Sequence, residues 1–460
     1  MNRSRKQQGA IIIIALVFVL IIMSLIASLI GYTFLQARSS RQAVAREQAL
    51  NIAEAGVETA IWKLNHQTGY TGETNTSFGN GVYTVTMTNL NNITRIINVN
   101  AYVPNQTSPV GQRRLQVTAV IGTKNFGFIY GVQVGGGGLV MDNNSQVTGN
   151  VISNGPIVGG NNGSVITGDV IVAGASGSIQ NLTIQGNSRS HSIQNSSVTK
   201  NANHTTLTST QVTGNASVSS LAGPSCSVAG TAAYNTRTNC TVLGAITTPN
   251  SSVPADPATT TLPISASQVT NWENEGASGG TISGQTISGT VNLGPIKVNG
   301  DLIINGTVNM TGTIWVTGNL TMGNGSKIQL DPSFGPLSGE FIVGTAGTTT
   351  NGYININNGA TILGSGTSGS YVMMLSERNT SGTSNVAITV GNNVAGAILY
   401  ANDGLVEVVN NASLKEITAW KLHLNNLTNV TYDTGYSSAE FTTGPTGGWE
   451  VKEQTWQLLQ

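Results

Sequence analysis

Val298-Asn299-Gly300-Asp301-Leu302, Ile304-Asn305-Gly306-Thr307-Val308, Met310-Thr311-Gly312-Thr313-Ile314 and Val316-Thr317-Gly318-Asn319-Leu320 repeat one short phrase, aliphatic, polar, Gly, polar, aliphatic. Gly300, Gly306, Gly312 and Gly318 fall every six residues. A six-residue step makes one flat side of a coil, and three steps close a turn of about 18 residues. The same phrase stands at Val147–Val151 and Ile166–Val170, and the 19 residues from Gly149 to Gly168 match one turn. A sandwich of separate hairpins does not explain a six-residue period. The repeat therefore predicts a mainly β chain with a parallel β-helix over 131–222 and 276–433. Its aliphatic residues turn inward, Asn and Thr stack in ladders, and Gly takes the corners.

Between those stretches, residues 223–275 hold Pro224, Pro249, Pro254, Pro257 and Pro263, Thr259-Thr260-Thr261 and both cysteines, Cys226 and Cys240. This reads as an insertion or linker. In an extracytoplasmic setting the cysteine pair reads as one disulfide; in a reducing one, as two thiols. The repeat fades after about Tyr432, and residues 434–460 read as a tail whose Trp449 and Trp456 cap an open solenoid end.

Composition fits that reading. Only 9% of the 460 residues are charged, against roughly 25% in ordinary soluble domains, so a cytosolic enzyme with salt-bridged helical surfaces is disfavoured. The 57 glycines lack a triplet period and Pro numbers 12, which excludes collagen. Recurring aliphatics argue against disorder. With 20 basic and 20 acidic residues, nothing resembles a nucleic-acid binder. The zero balance hides a gradient. Residues 1–64 carry seven basic and three acidic residues, leaving 13 and 17 for the rest.

Outward from the solenoid, residues 65–130 hold three alternating stretches, Val82–Met87, Arg95–Tyr102 and Arg114–Val120, that predict a small antiparallel sheet. Before it, Ala10 to Leu35 is almost wholly apolar: 26 residues, about 39 Å of helix, against a hydrocarbon core of roughly 30 Å. Arg3, Arg5 and Lys6 favour a cytoplasmic N-terminus and an extracytoplasmic remainder. A secretory signal has a shorter apolar region. Helical spacing continues through Val44, Leu50, Val57 and Leu64, and residues 10–64 contain no Pro, so one helix of about 82 Å is expected.

Lys6-Gln7-Gln8-Gly9 before Ala10, the aliphatic run, and Ala49–Ala60 with its Ala53-Glu54-Ala55-Gly56 core together resemble the N-terminus of a type IV pilin of the PilX-type minor class. The resemblance covers about 14% of the chain closely. It implies that residues 1–9 are a leader, that a prepilin peptidase cleaves between Gly9 and Ala10, and that Ala10 is then N-methylated. It implies other pilins as partners through the helix, a membrane-held stage, and a final place in a cell-surface pilus. Shaft-forming pilins carry Glu at the fifth mature position; here it is Ile14. A lone carboxylate in lipid is costly, and the first subunit of a fibre has no earlier neighbour to pair it. Ile14 and the large head therefore point to an initiating or tip subunit, with adhesion among its expected roles.

Chemistry is thin. Asp142, Asp169, Asp301, Asp331, Glu377, Asp403 and Glu407 are scattered, and Asp169 and Asp301 occupy turn positions where capping suffices. His191, His204 and His423 lack metal-ligand spacing. Neither a nucleophile elbow nor a phosphate loop stands in the right context. The expectation is no enzyme, no metal and no cofactor. Trp315, flanked by Ile314 and Val316, should point outward, where it could stack on a glycan or surface ligand; Trp420 shares phase with Leu422 and Leu424 and reads as core. Two alternatives remain open: a membrane-anchored polysaccharide-binding or polysaccharide-cleaving β-helix protein, and a pseudopilin of a type II-like secretion system.

Overall fold

The computed structural model describes residues 4–66, 70–91, 94–121, 123–125, 128–160, 163–409, 411–432, 439–442 and 449–459. The chain forms two compact units, one of Met1–Leu90, Thr94–Val120 and Glu450–Gln460, the other of Asn91–Ile93 and Ile121–Trp449.

The first unit starts with a single α-helix, α1 (Ser4–His66), longer at both ends than the sequence suggests. Four antiparallel strands follow in spatial order: Gly72–Phe78, Gly81–Asn91, Thr94–Val103 and Gly111–Ile121. Strict alternation turns Ile97, Val99, Ala101, Leu115 and Val117 to one face, where they are buried. Ala45, Ala49, Ala53, Val57, Ala60 and Leu64 of α1 are buried as well, at the three- and four-residue intervals of one helix face. The C-terminus completes this sheet. Gln457–Leu459 lies antiparallel on Gly111–Ile121, and Trp449–Val451 joins the same flank. The last strand of the tail therefore covers a free edge of the small sheet, while Phe441 earlier in the tail is buried with Phe128, Trp272 and Tyr400 of the second unit, and Trp456 stands half exposed. Unpaired backbone on the outer edge of Gly111–Ile121 offered the tail a strand partner.

The second unit is the parallel β-helix, and its winding order differs from its sequence order. Coils climb from Val132–Met141 to Ile246–Thr247. The chain then returns along the outside to the opposite end, where Thr281–Ile287 begins a second set of coils. That set winds back until Ser413–Leu424 stacks in parallel register on Val132–Met141, with Leu422 opposite Leu139. The stack is thus continuous across a seam that the chain itself does not cross. Tyr432 donates its hydroxyl to the Phe128 carbonyl at 2.5 Å, so the chain enters and leaves the solenoid side by side at mid-height.

Residues 223–275 are accordingly not one insertion. Ser220–Val228, Ala232–Ala233, Thr236–Val242 and Ile246–Thr247 are ordinary solenoid strands, because Cys226, Val228 and Val242 keep the inward register of the coils below. Only about 248–265 is strap. Its carbonyls at Ala255, Pro257, Thr260 and Thr261 accept bonds from Arg189, Gly174, Asn154 and Gln133 in turn, stepping back down the stack. It ends in α2 (Ala266–Ser278), capped by the Ser265 hydroxyl and packed on Ile296–Ile304 and Ile314–Val316.

One inward column runs the length of the stack: Leu302, Leu320, Ile354, Ile388, Val406, Leu422, Leu139, Ile157, Ile179, Ile193, Leu207 and Leu221, all essentially inaccessible. A polar ladder lines a corner, where Asn150, Asp169, Asn187 and Asn201 each accept a backbone N–H from the next coil at 2.8–3.2 Å. The glycines act less through special dihedral angles than through close stacking. A Cβ on Gly168, Gly186 or Gly230 would overlap the Gly149, Gly168 or Gly214 carbonyl oxygen beneath. Turn length is not fixed at 18 residues. Val147, Ile166, Ile184 and Val198 stack at intervals of 19, 18 and 14, while Ile328 to Ile362 takes 34 because that turn carries excursions.

Candidate functional site

From Ile12 to Leu35, α1 is exposed at every position, a bare apolar cylinder about 36 Å long. The hydroxyls of Ser24 and Thr33 donate to the carbonyls of Ile21 and Ile30, so both are satisfied within the helix itself. Gly9 and Ala10 lie within the helical backbone, but their side-chain surroundings fall outside the described residues. Ile14 points into the open at 67% exposure. The first carboxylate along the chain is Glu47, well past the apolar run.

Above that stretch the helix is wedged onto the sheet, and the Ala53–Gly56 core has a steric reason. A Cβ at Gly56 would come within 2.7 Å of Val99 Cγ1 and 3.1 Å of the Tyr83 ring. Only a glycine lets helix and strands approach so closely. At the upper end Lys63 Nζ lies 2.6 Å from Glu73, whose carboxylate also accepts the hydroxyls of Tyr70 and Thr76. Burial raises the Glu73 pKa, but these hydrogen bonds and Lys63 outweigh it and leave the carboxyl below its ordinary value.

In the solenoid, Trp315 does turn away from the buried Ile314 and Val316, but it is not an open platform. Gly276 of α2 packs against its backbone and Cβ, its Nε1 donates to the Gly344 carbonyl at 2.9 Å, and Lys297 Nζ sits 4.0 Å over the ring. The covering helix begins more than 30 residues upstream, beyond the reach of a local alternation argument. Trp420 is half-buried over Gly135–Gly137 instead of in the core, because a bulge between Ala419 and Lys421 breaks its phase with Leu422. Cys226 and Cys240 form a disulfide between neighbouring coils. Asp169 and Asp301 hold the corner ladder.

The histidines remain apart. His191 meets Asp256 of the strap, and His423 lies between Asp142 and Glu407. His204 is buried between the hydroxyls of Ser188 and Ser190, and desolvation pushes its pKa down to about 3. Among the described residues no group of three His, Cys, Asp or Glu is placed to hold a metal.

Sequence reasoning missed one constellation. Glu273 of α2 and Glu377 are brought together beneath the helix, hydrogen-bonded to each other, with Lys297 near Glu273. Burial, then the neighbouring Glu273 carboxyl, pushes Glu377 up to about 8, so at neutral pH it holds a proton. A cavity of about 120 Å³ opens beside it, lined by Ile264, Val269, Leu375, Tyr400 and Asp403 among others. Two carboxyls in hydrogen-bond contact lack the separation of about 5 Å or more that glycoside hydrolysis uses. The pair joins α2 to the coils. Glu416, fully buried and bonded to Thr418, is likewise raised by desolvation.

A long helix, bare and apolar over one half and wedged onto a small sheet over the other, defines a subunit built to be held by its helix. The comparisons give that class a family likeness: residues 8–58 match the family model described as PilX N-terminal, and in this region the chain is type IV pilin-like. No curated protein matches it. Among solved structures, the competence-associated pilin ComZ from Thermus thermophilus aligns over 90% of this chain and 97% of its own, at 10% identity and a TM-score of 0.21. A likeness that slight carries no argument.

Proposed function

We propose that the chain is a minor subunit of a type IV pilus-like surface fibre, placed first or near the tip, with the solenoid displayed outside. The PilX-type segment on a bare apolar helix carries this reading, and Ile14 refines it. In the fibre the lipid around Ile12–Leu35 is exchanged for neighbouring helices, so the helix leaves the membrane without exposing apolar surface to water. With Ile14 there is no carboxylate to neutralise, and the subunit needs no earlier neighbour. A prepilin peptidase would act at the Gly9–Ala10 bond while the N-terminus is cytoplasmic. The role is assembly and display rather than turnover, with a glycan or surface ligand for the solenoid as the adhesive extension of the same reading. Immunogold labelling of sheared fibres tests it: label should sit at fibre ends. Label along the shaft would refute the tip assignment, and label confined to the envelope would favour a secretion pseudopilus.

A further inference from the structure

The two outermost coils of the solenoid, Thr236–Val242 with Ile246–Thr247 at one end and Thr281–Ile287 with Thr290–Leu293 at the other, each pair with the coil inside them. Among the described residues nothing from the C-terminal tail pairs with them, since Gln457–Leu459 belongs to the small sheet. Such ends invite addition of another solenoid. The molecule already shows the reaction at its own seam, where Ser413–Leu424 stacks on Val132–Met141 in parallel register. The outer ends have matching polarity: the upper face of the 236–247 coil and the lower face of the 281–293 coil are the two kinds of face that meet there. Several inward columns reach the ends still apolar, with Ile246 45% exposed at one end and Val291 38% exposed at the other. A head-to-tail contact of this kind does not close on itself and would propagate as a filament.

One column does not reach the ends apolar. The column that passes through Leu302 and Leu221 finishes at Gln285 beyond Leu302 and at Arg237 beyond Leu221. It is apolar at every coil between and polar at both extremities. The Arg237 guanidinium lies 5.7 Å from the centre of the Tyr234 ring. In a register-preserving stack, Arg237 of one copy would meet Gln285 of the next inside an apolar column, and a cation would be buried against an uncharged amide. Inward-pointing polar groups at strand edges are a known means of blocking edge-to-edge addition.

We propose that Arg237 and Gln285 are chain terminators that close the two ends of the solenoid to a second copy of this protein. The mechanism is specific to the junction, because each junction takes one Arg237 end and one Gln285 end. The full-length chain in detergent, followed by sedimentation velocity and negative-stain microscopy, provides the test. The native protein should carry single solenoids. Arg237→Leu and Gln285→Leu should each remain single, since every junction still contains one polar residue. Mixed together, the two single variants should form a two-solenoid species and go no further, because only the end substituted at position 237 in one variant fits the end substituted at position 285 in the other. The double variant should form longer head-to-tail chains. Arg237→Lys with Gln285→Asn, which keeps a cation at one end and an uncharged amide at the other, should stay single and controls for substitution itself. Each single variant keeps its native circular dichroism and intact disulfide as the check on folding. The proposal is overturned if native protein forms head-to-tail chains, if either single variant self-associates alone, or if the folded mixture stays single.

Discussion

Gly56→Ala sets two opposing effects against each other. Alanine in place of glycine inside a helix gains about 1 kcal/mol from backbone entropy. At this position the new Cβ would lie 2.7 Å from Val99 Cγ1 and 3.1 Å from Tyr83 Cδ2, where ordinary contact is 3.4–4 Å. Val99 is fully inaccessible and β-branched, so it cannot swing aside, and the helix must lift from the strands. Overpacking of that kind costs about 1–3 kcal/mol. The net expectation is a destabilisation of roughly 0–2 kcal/mol, against a gain at an unconstrained site. Gly31, where an added Cβ would have nothing within 4 Å, should show the gain alone. Amide hydrogen exchange of peptides spanning 45–64 in the full-length protein reads the opening free energy of this helix segment directly. Val99→Ala supplies the decisive arm. It removes the offending methyl, so Gly56→Ala and Val99→Ala together should be better than the sum of the separate changes by about 1 kcal/mol or more. Slower exchange in Gly56→Ala by the full helix-propensity gain, with strict additivity to Val99→Ala, would refute the steric reading of this glycine.

Leu427 holds a left-handed φ of 61° while its side chain is 54% exposed, so Leu427→Asn should stabilise the seam by about 1 kcal/mol, seen as slower exchange in 413–431. Glu377 binds its proton more tightly folded than unfolded, so its contribution is full below about pH 4.5, falls as pH rises, and is gone above about 8. Exchange in α2 should therefore quicken from pH 5 to 9, once corrected for intrinsic rates, and Glu377→Gln should flatten that slope. For His204 the sign reverses. Its folded pKa of about 3 lies below the usual 6.5, so stability is lost as pH falls from 6.5 towards 3, and His204→Gln should lessen that loss in acid unfolding curves. Reducing Cys226–Cys240 frees a 14-residue loop worth about 3 kcal/mol of closure entropy, and the faster exchange that follows should be confined to the outermost coils near 220–247.

Local period was legible and long-range order was not. The glycines at 300, 306, 312 and 318 announced coils because each close approach of stacked backbones leaves a mark every six residues. The same signal is silent about which coil meets which. Leu422 opposite Leu139 joins residues nearly 300 positions apart, and any two coils with aliphatic columns would satisfy the pattern. The strap was misjudged for a related reason. Five prolines made 223–275 look uniform, yet Cys226 and Val228 keep inward register there. Trp315 shows the limit at side-chain scale: alternation gave its direction, while its cover came from a helix elsewhere in the chain. Glu273 and Glu377 are about a hundred residues apart, and no spacing rule pairs them. At the N-terminus the reverse held. Apolar length, basic flank and the Ala53–Gly56 core are all local properties, and helix, burial and family likeness follow from them.

Intact-mass and N-terminal peptide mass spectrometry of the protein recovered from the membrane of its own cell bears most directly on the central claim that α1 is a pilin helix. The mature chain should begin at Ala10, with one methyl group on its amine. An intact Met1, or cleavage beyond Ile30, would contradict that claim.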